Sequence, residues 1–381
     1  MASEDTPARG SVRDERSRRG RRRHVDEPGK PTRLREITAA SWRHAGLRVW
    51  RGFWDHQCID LAAGLTFFSI TSVLPLVIAL VAVLGVVGRA DETVTAIMEV
   101  AAVALPAEFL EYIEVPVRQI VQSPSAGVFL GVALVASLFT ASAWVNAFSR
   151  AINRIYGATE LRPLYLLRPL MMAITLAEVL LLALFGLVLV GTVPLISRLG
   201  ASVGLREESL WLWGVARGPL LLLIAAAVVA LLYFFTPNVR QPPFRWTSPG
   251  ALLAIGLSAL AIRGLFAYLA AFGTDTFNRP YGALATPLVL VLSMYLVNLS
   301  LILGIEVNAG IERARQLQSG IDAVGRIQLP HVSEYALPRL AALRAADAAK
   351  ARALLTDGSR TGAVVRASGG STGDTAAPGS A

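Results

Sequence analysis

The sequence predicts an all-α integral membrane protein with six transmembrane helices, both termini cytoplasmic, and an amphipathic outer loop between spans one and two. Three observations lead there. Apolar residues make up 54% of the chain and charged residues only 17%, against about a quarter charged in a soluble protein of this size. The deficit is local, because both ends are charged and the middle is not, as in a multispan chain rather than two or three soluble cores. The basic residues, finally, alternate between the segments that join the apolar runs, and this orients them.

Residues 1–33 are polar and rich in Arg, Pro and Gly, the composition of a disordered basic tail. No short apolar core lies near the start, so no secretory signal is expected. "RSRRGRRR" contains paired arginines, but the first apolar stretch begins only at Leu61 and is long enough to span. Residues 34–59 read as a helix. Gly46, Leu47, Trp50, Phe53, Trp54 and Gln57 fall on one face, with Arg48 and Asp55 opposite. Tryptophans on one side and arginines on the other suit a helix lying at the membrane surface. A plain cytosolic extension of the first span fits the same residues.

A bilayer core about 30 Å thick needs roughly 20 helical residues. Runs that satisfy this fall at 61–88, 127–148, 169–197, 218–235, 250–272 and 283–308, within a membrane domain over 60–312. The third contains Glu178 and the fifth Arg263. Segments 1–59, 149–168, 236–249 and 306–381 hold 29 of the 36 basic residues, and the alternate segments hold six. By the positive-inside rule the first set is cytoplasmic. The outer loop 89–126 is acidic, with Asp91, Glu92, Glu99, Glu108, Glu111 and Glu114. Val94, Ile97, Met98, Ala101, Leu105, Phe109 and Tyr112 recur there at helical spacing and Pro106 interrupts them, which predicts two short amphipathic helices on the outer leaflet. Trp211 and Trp213 stand at the outer boundary and Trp246 at the inner one, as an aromatic belt. The cytoplasmic tail, 313–381, holds an Ala-rich helical stretch at 335–355 and is expected to be disordered after 356.

The sequence also speaks against several functions. Cys58 is the one cysteine, so neither an intrachain disulfide nor a cysteine metal site is expected. His24, His44, His56 and His331 lie outside the apolar runs with no ligand spacing, and no cofactor is expected. No nucleophile with a base, phosphate loop or metal set appears, so the chain does not read as an enzyme. Lys30 and Lys350 are the only lysines among many arginines, which fits a bacterial genome rich in G and C.

Six spaced motifs carry a family resemblance. They are "AAGLTFFSITSVLPLV" (62–77), "NRIYG" (153–157), "TPN" (236–238), "SPGALLA" (248–254), "YGALATPLVLVL" (281–292) and "LILGIEVNA" (301–309). Over about residues 50–312 the chain resembles the BrkB/YihY family of bacterial inner-membrane proteins. Phe68 stands where a tyrosine is common, which removes a hydroxyl, and "LSMYL" replaces a more usual "LLWLY". The resemblance implies six spans in a bacterial cytoplasmic membrane. It also implies a link to envelope integrity and to export of lipid-like envelope material, but no reaction.

Within the spans, Glu178 and Arg263 are costly in hydrocarbon and so are expected to face protein or water. Counted from the inner ends of their spans they lie roughly 14 Å and roughly 20 Å deep, close enough for an arginine to bridge, either as a pair or as the lining of one polar cavity. Glu306 stands near the end of span six, where the helix dipole disfavours an anion, so it answers a base. Arg154, Arg162, Arg240 and Arg245 are the candidates. The expected arrangement is a cytoplasmic-side polar cluster of Glu306, Asn308, Asn153 and Arg154; an unpartnered edge residue is the alternative. In span one, Ser72 and Pro75 suggest a kinked helix beside a substrate path, or ordinary close packing. Tyr281 opens the last-span motif and joins the candidates.

Two functions fit. One is a transporter of a lipid-like or amphiphilic envelope component; the other is a membrane scaffold that holds envelope machinery. Membrane lipids are the expected partners, with anionic headgroups at the N-terminal Arg cluster, and envelope proteins are further candidates. Nucleic acid is not, since neither an RNA-binding motif nor an aromatic platform accompanies the arginines. The sequence leaves the oligomeric state open.

Overall fold

The computed structural model describes residues 31, 33–87, 115, 126–190, 208–239, 248–272 and 285–369. Among them the regular structure is helical. A single 3-10 turn, Leu34–Glu36, precedes α1 (Ala39–Asp55), α2 (Cys58–Val87), α3 (Ala126–Tyr156), α4 (Leu164–Val190), α5 (Glu208–Phe235), α6 (Pro249–Phe272), α7 (Ala285–Gln318) and α8 (Leu337–Gly369). One isolated bridge joins Val239 to His331. The Arg-rich residues 1–30, the predicted outer-loop helices, Arg240, Arg245, Trp246, Tyr281 and residues 370–381 lie outside the described residues.

Each expected span falls on one of helices α2 to α7. Four described stretches are long and apolar enough to cross a bilayer: Leu164–Leu189, Gly214–Phe235, Pro249–Ala271 and Pro287–Gln318. In α2 the described apolar stretch, Cys58–Val73, is shorter. Helices outrun the apolar runs at the end of the bundle that carries α1. There α3 continues to Tyr156, α4 begins at Leu164 with Pro169 inside it, and α7 continues to Gln318. Hydropathy stops where the burial pattern changes, while a helix already formed gains one hydrogen bond per added residue. The same reason carries α8 to Gly369, past residue 356 where the sequence suggested disorder.

Helix α7 is the centre of the bundle, packed against α1, α2, α3 and α6. Helix α3 packs against α2 and α4, and α4 against α5. Phe148, Ile152, Leu232, Ile302 and Ile305 are essentially sealed from solvent. Trp144 stacks on Phe148 at 5.4 Å between centroids, and Phe148 on Tyr233 at 6.2 Å. Between membrane helices, association rests on close contact rather than on expelled water, so small residues mark the crossings. At the α6–α7 crossing a Cβ on Gly250 would collide with the carbonyl oxygen of Gly304, and the reverse. A Cβ on Gly310 would stand 2.6 Å from Val49 Cγ2, which brings α1 against α7.

Residues 161–163 and the chain from Ser333 onward form a compact unit of their own. Within it the Ala336 amide donates to the Leu161 carbonyl at 3.3 Å, and α8 leaves Leu343, Leu354 and Leu355 exposed.

Candidate functional site

Two sets of polar groups stand out: a layer at the α1 end of the bundle, and a few groups deeper between the helices. The layer begins with α1. Thr38 caps it, accepting from the Ser41 amide at 3.3 Å. Its faces divide three ways. Ala45, Val49 and Gly52 turn toward α7; Trp42, Leu47, Trp50 and Trp54 are exposed, Trp50 by 65%; Arg48 and Asp55 pair at 3.5 Å on a third side. The helix ends at His56, and Gln57 takes φ 56°, the left-handed region that a non-glycine residue adopts only at a cost. That turn starts α2 and leaves His56 aimed at α7.

Glu306 meets it there. Its carboxylate meets His56 Nδ1 and accepts from the Cys58 thiol at 3.7 Å. A Cβ on Gly52 would stand 2.7 Å from Glu306 Oε2, so the glycine is what admits the acid between the helices. Among the described residues the group that meets the acid is therefore His56, and neither Arg154 nor Arg162; Arg240 and Arg245 lie outside the described residues. Arg154 Nη2 donates instead to Gln57 Oε1 at 2.7 Å, which holds the strained turn.

The expected single cluster separates into distinct joints. Asn308 Oδ1 accepts from the Gly250 amide at 2.9 Å and its Nδ2 donates to Ser248 Oγ at 3.0 Å. It thus satisfies the first turn of α6, whose free amides would otherwise be unpaired. Asn153 Oδ1 accepts from the Asn238 amide at 3.0 Å, and its Nδ2 donates to Glu160 at 3.2 Å. Ser149 Oγ donates to the Thr236 carbonyl at 2.7 Å, so "NRIYG" and "TPN" are two sides of one joint. Gly157 closes α3 at φ 65°, with the Ala158 amide bonded to the Asn153 carbonyl at 2.7 Å; only glycine takes this C-cap freely. Sequence reasoning missed Gln316 and Asn298. Gln316, wholly buried, exchanges bonds with Glu312 and with both backbone groups of Gln328. Asn298 Nδ2 donates to Thr66 Oγ1 at 3.2 Å and Ser69 Oγ at 3.0 Å, tying α7 to α2. An amide inside an apolar run was a readable signal. His56 carried none, because it lies outside every run.

The deeper groups behave differently. Glu178 on α4 is 6% exposed, and among the described residues its Oε1 has no hydrogen-bond partner; the same holds for Ser72 Oγ on α2 and Trp144 Nε1 on α3. Trp144 packs both with the cluster that holds Leu65 and Phe68 of α2 and with the one that holds Met171 and Ile174 of α4. Ser72 is one helical turn past Phe68 and Glu178 one turn past Ile174, so the three groups sit at neighbouring levels of the α2–α3–α4 junction. Pro75 lies inside α2, three residues beyond Ser72. Arg263 does not pair with Glu178. It is exposed on α6, which packs against α5 and α7, whereas α4 packs against α2, α3 and α5. Among the described residues no three His, Cys, Asp or Glu side chains are placed to hold a metal.

Comparison with known proteins follows the joints. Residues 49–324, which contain the contacts of Glu306, Asn308, Asn153 and Asn298, match the family model described as Virulence factor BrkB. Ribonuclease-like protein YfkH of Bacillus subtilis (strain 168) is 28% identical over 273 residues, 69% of this chain and 93% of that protein. A UPF0761 membrane protein of Laribacter hongkongensis (strain HLHK9) is 27% identical over 74% of this chain, and one of Stenotrophomonas maltophilia (strain R551-3) is 24% identical over 74%. The chain spans 63% and 66% of those two relatives. No solved structure matches. A family model that runs from the middle of α1 to the loop after α7 covers all of α2 to α7, and this chain belongs to the Virulence factor BrkB family of membrane proteins.

Proposed function

We propose that this protein spans a bacterial cytoplasmic membrane six times, with both termini cytoplasmic, and moves a lipid-like or amphiphilic component that supports envelope integrity. The observation that carries the reading is the unsatisfied set at the α2–α3–α4 junction: Ser72 Oγ, Trp144 Nε1 and Glu178 Oε1. A buried carboxyl without a partner costs stability and does nothing for packing. Such a group persists where something else meets it, and a passing polar headgroup is that something. Pro75, beside Ser72, frees a carbonyl in the same wall.

The alternative is a scaffold that holds envelope machinery, favoured by the exposed tryptophans of α1. Catalysis is the weakest reading. The Cys58 thiol is fully buried and donates to an acid, an arrangement that keeps it protonated and sealed rather than nucleophilic.

The test is reconstitution in vesicles with a fluorescent phospholipid, following its loss from the inner leaflet by an impermeant quencher. The wild type should speed movement, and Glu178→Leu should slow it by about tenfold or more, the effect of about 1.4 kcal/mol on a barrier. Wild-type vesicles no faster than protein-free ones would replace transport with the scaffold reading.

A further inference from the structure

Two arginines on the flank of the bundle have no acid. Arg150 on α3 lies over the Phe68 ring of α2, with its Cζ 5.8 Å from the centroid. Arg168 on α4 lies over the Phe139 ring of α3 at 5.3 Å. Phe139 shares the helical face of α3 that carries Arg150, so the ring beneath Arg168 and the root of Arg150 belong to one face. Among the described residues neither has a hydrogen bond or ion pair to the protein.

Their direction is unexpected. Gln57 bonds Arg154, so that pair marks the α1 end of α2 and α3. Arg150 is one turn from Arg154, about 6 Å, but Phe68 stands about 15 Å along α2 from Cys58, so the Arg150 side chain leans inward. Met171 packs with Val145. Arg168 stands three residues nearer the α1 end than Met171, and Phe139 six residues further in than Val145, so Arg168 leans inward too. An arginine near a helix end ordinarily extends its charge outward to the interface. Two like charges drawn inward over apolar side chains favour an anion beside them.

The surface beside them is apolar. Phe139, Val135 and Val132 share the helical face of α3 that carries Arg150, and all three are exposed. A charged pair at the top of an apolar strip matches a phosphate with a hydrocarbon chain attached.

We propose that Arg150 and Arg168 grip the phosphate of an anionic phospholipid, whose acyl chain runs along Phe139, Val135 and Val132. The guanidinium fork suits a phosphodiester better than an ammonium does, and the rings beneath hold both forks in place. This site does not depend on transport, because a lipid can be held without being moved.

The experiment is native mass spectrometry of the full chain released from nanodiscs of phosphatidylcholine doped with phosphatidylglycerol. Arg150→Gln with Arg168→Gln is compared with Arg344→Gln with Arg352→Gln, which removes two charges from α8. Wild type and the α8 variant should hold phosphatidylglycerol about tenfold above its share of the disc, one charge-assisted contact's worth. The Arg150/Arg168 variant should fall to the disc ratio, and the two-lysine version should fall between. Should the double variant not fold, Arg168→Gln alone is read by the same ratio. Enrichment that survives the double glutamine change overturns the proposal. So does complete displacement by millimolar inorganic phosphate, which would make this a site for a soluble anion.

Discussion

The α1 end of the bundle and the α2–α3–α4 junction are built from similar residues and treat them in opposite ways. At the α1 end Glu306 is paired with His56, Asn308 with Gly250 and Ser248, and Asn153 with Asn238 and Glu160. At the junction Glu178, Ser72 and Trp144 each keep a buried polar atom with no partner among the described residues. Both regions hold a buried carboxyl, 3% exposed in Glu306 and 6% in Glu178, so burial alone does not separate them. Satisfaction does. A polar group whose bonds are all made within the chain is architecture, and one left over in an otherwise packed bundle is available to something outside the chain.

Four substitutions sharpen that contrast, from the largest effect down. Glu306→Leu should cost about 3–5 kcal/mol, because it strands His56 between α1 and α7, and the yield and thermal midpoint of the extracted protein should drop sharply. Adding His56→Leu should recover part of the loss, which a double-mutant cycle would read as coupling. Glu178→Leu should move stability the other way, by about 1–3 kcal/mol, since it removes an unsatisfied group. Asn308→Ala should cost about 1 kcal/mol by uncapping α6, seen as a lower unfolding midpoint with unchanged helix content. Asn298→Leu should cost about 0.6 kcal/mol, the average for a hydrogen bond between membrane helices, and a cycle with Ser69→Ala should measure it. A loss for Glu178→Leu as large as for Glu306→Leu would erase the distinction between the regions.

Much of the architecture was legible in the sequence. Apolar runs located all six bundle helices because hydropathy and helix length speak to the same constraint. The motifs were legible as motifs, and the structure gives them work: glycine at the α6–α7 crossing, asparagine as a cap, glycine at a left-handed C-cap. That Glu306 needed a base was legible too. Which base was not, because its partner is 250 residues away and is aimed by one left-handed residue, Gln57. The imagined cluster failed for a local reason. Asn153 and Arg154 are adjacent on a helix and point about 100° apart, so they serve different neighbours. Pairing of Glu178 with Arg263 failed because depth along a helix says nothing about which helices touch.

The most direct measurement takes Glu178→Leu and Glu306→Leu through the same two assays, thermal unfolding in nanodiscs and lipid movement in vesicles. Glu178→Leu should unfold at or above the wild-type temperature while its lipid movement falls about tenfold. Glu306→Leu should lose stability first. A Glu178→Leu protein that moves lipid as the wild type does, or that unfolds as early as Glu306→Leu, would contradict the claim that the unsatisfied junction is where this protein acts.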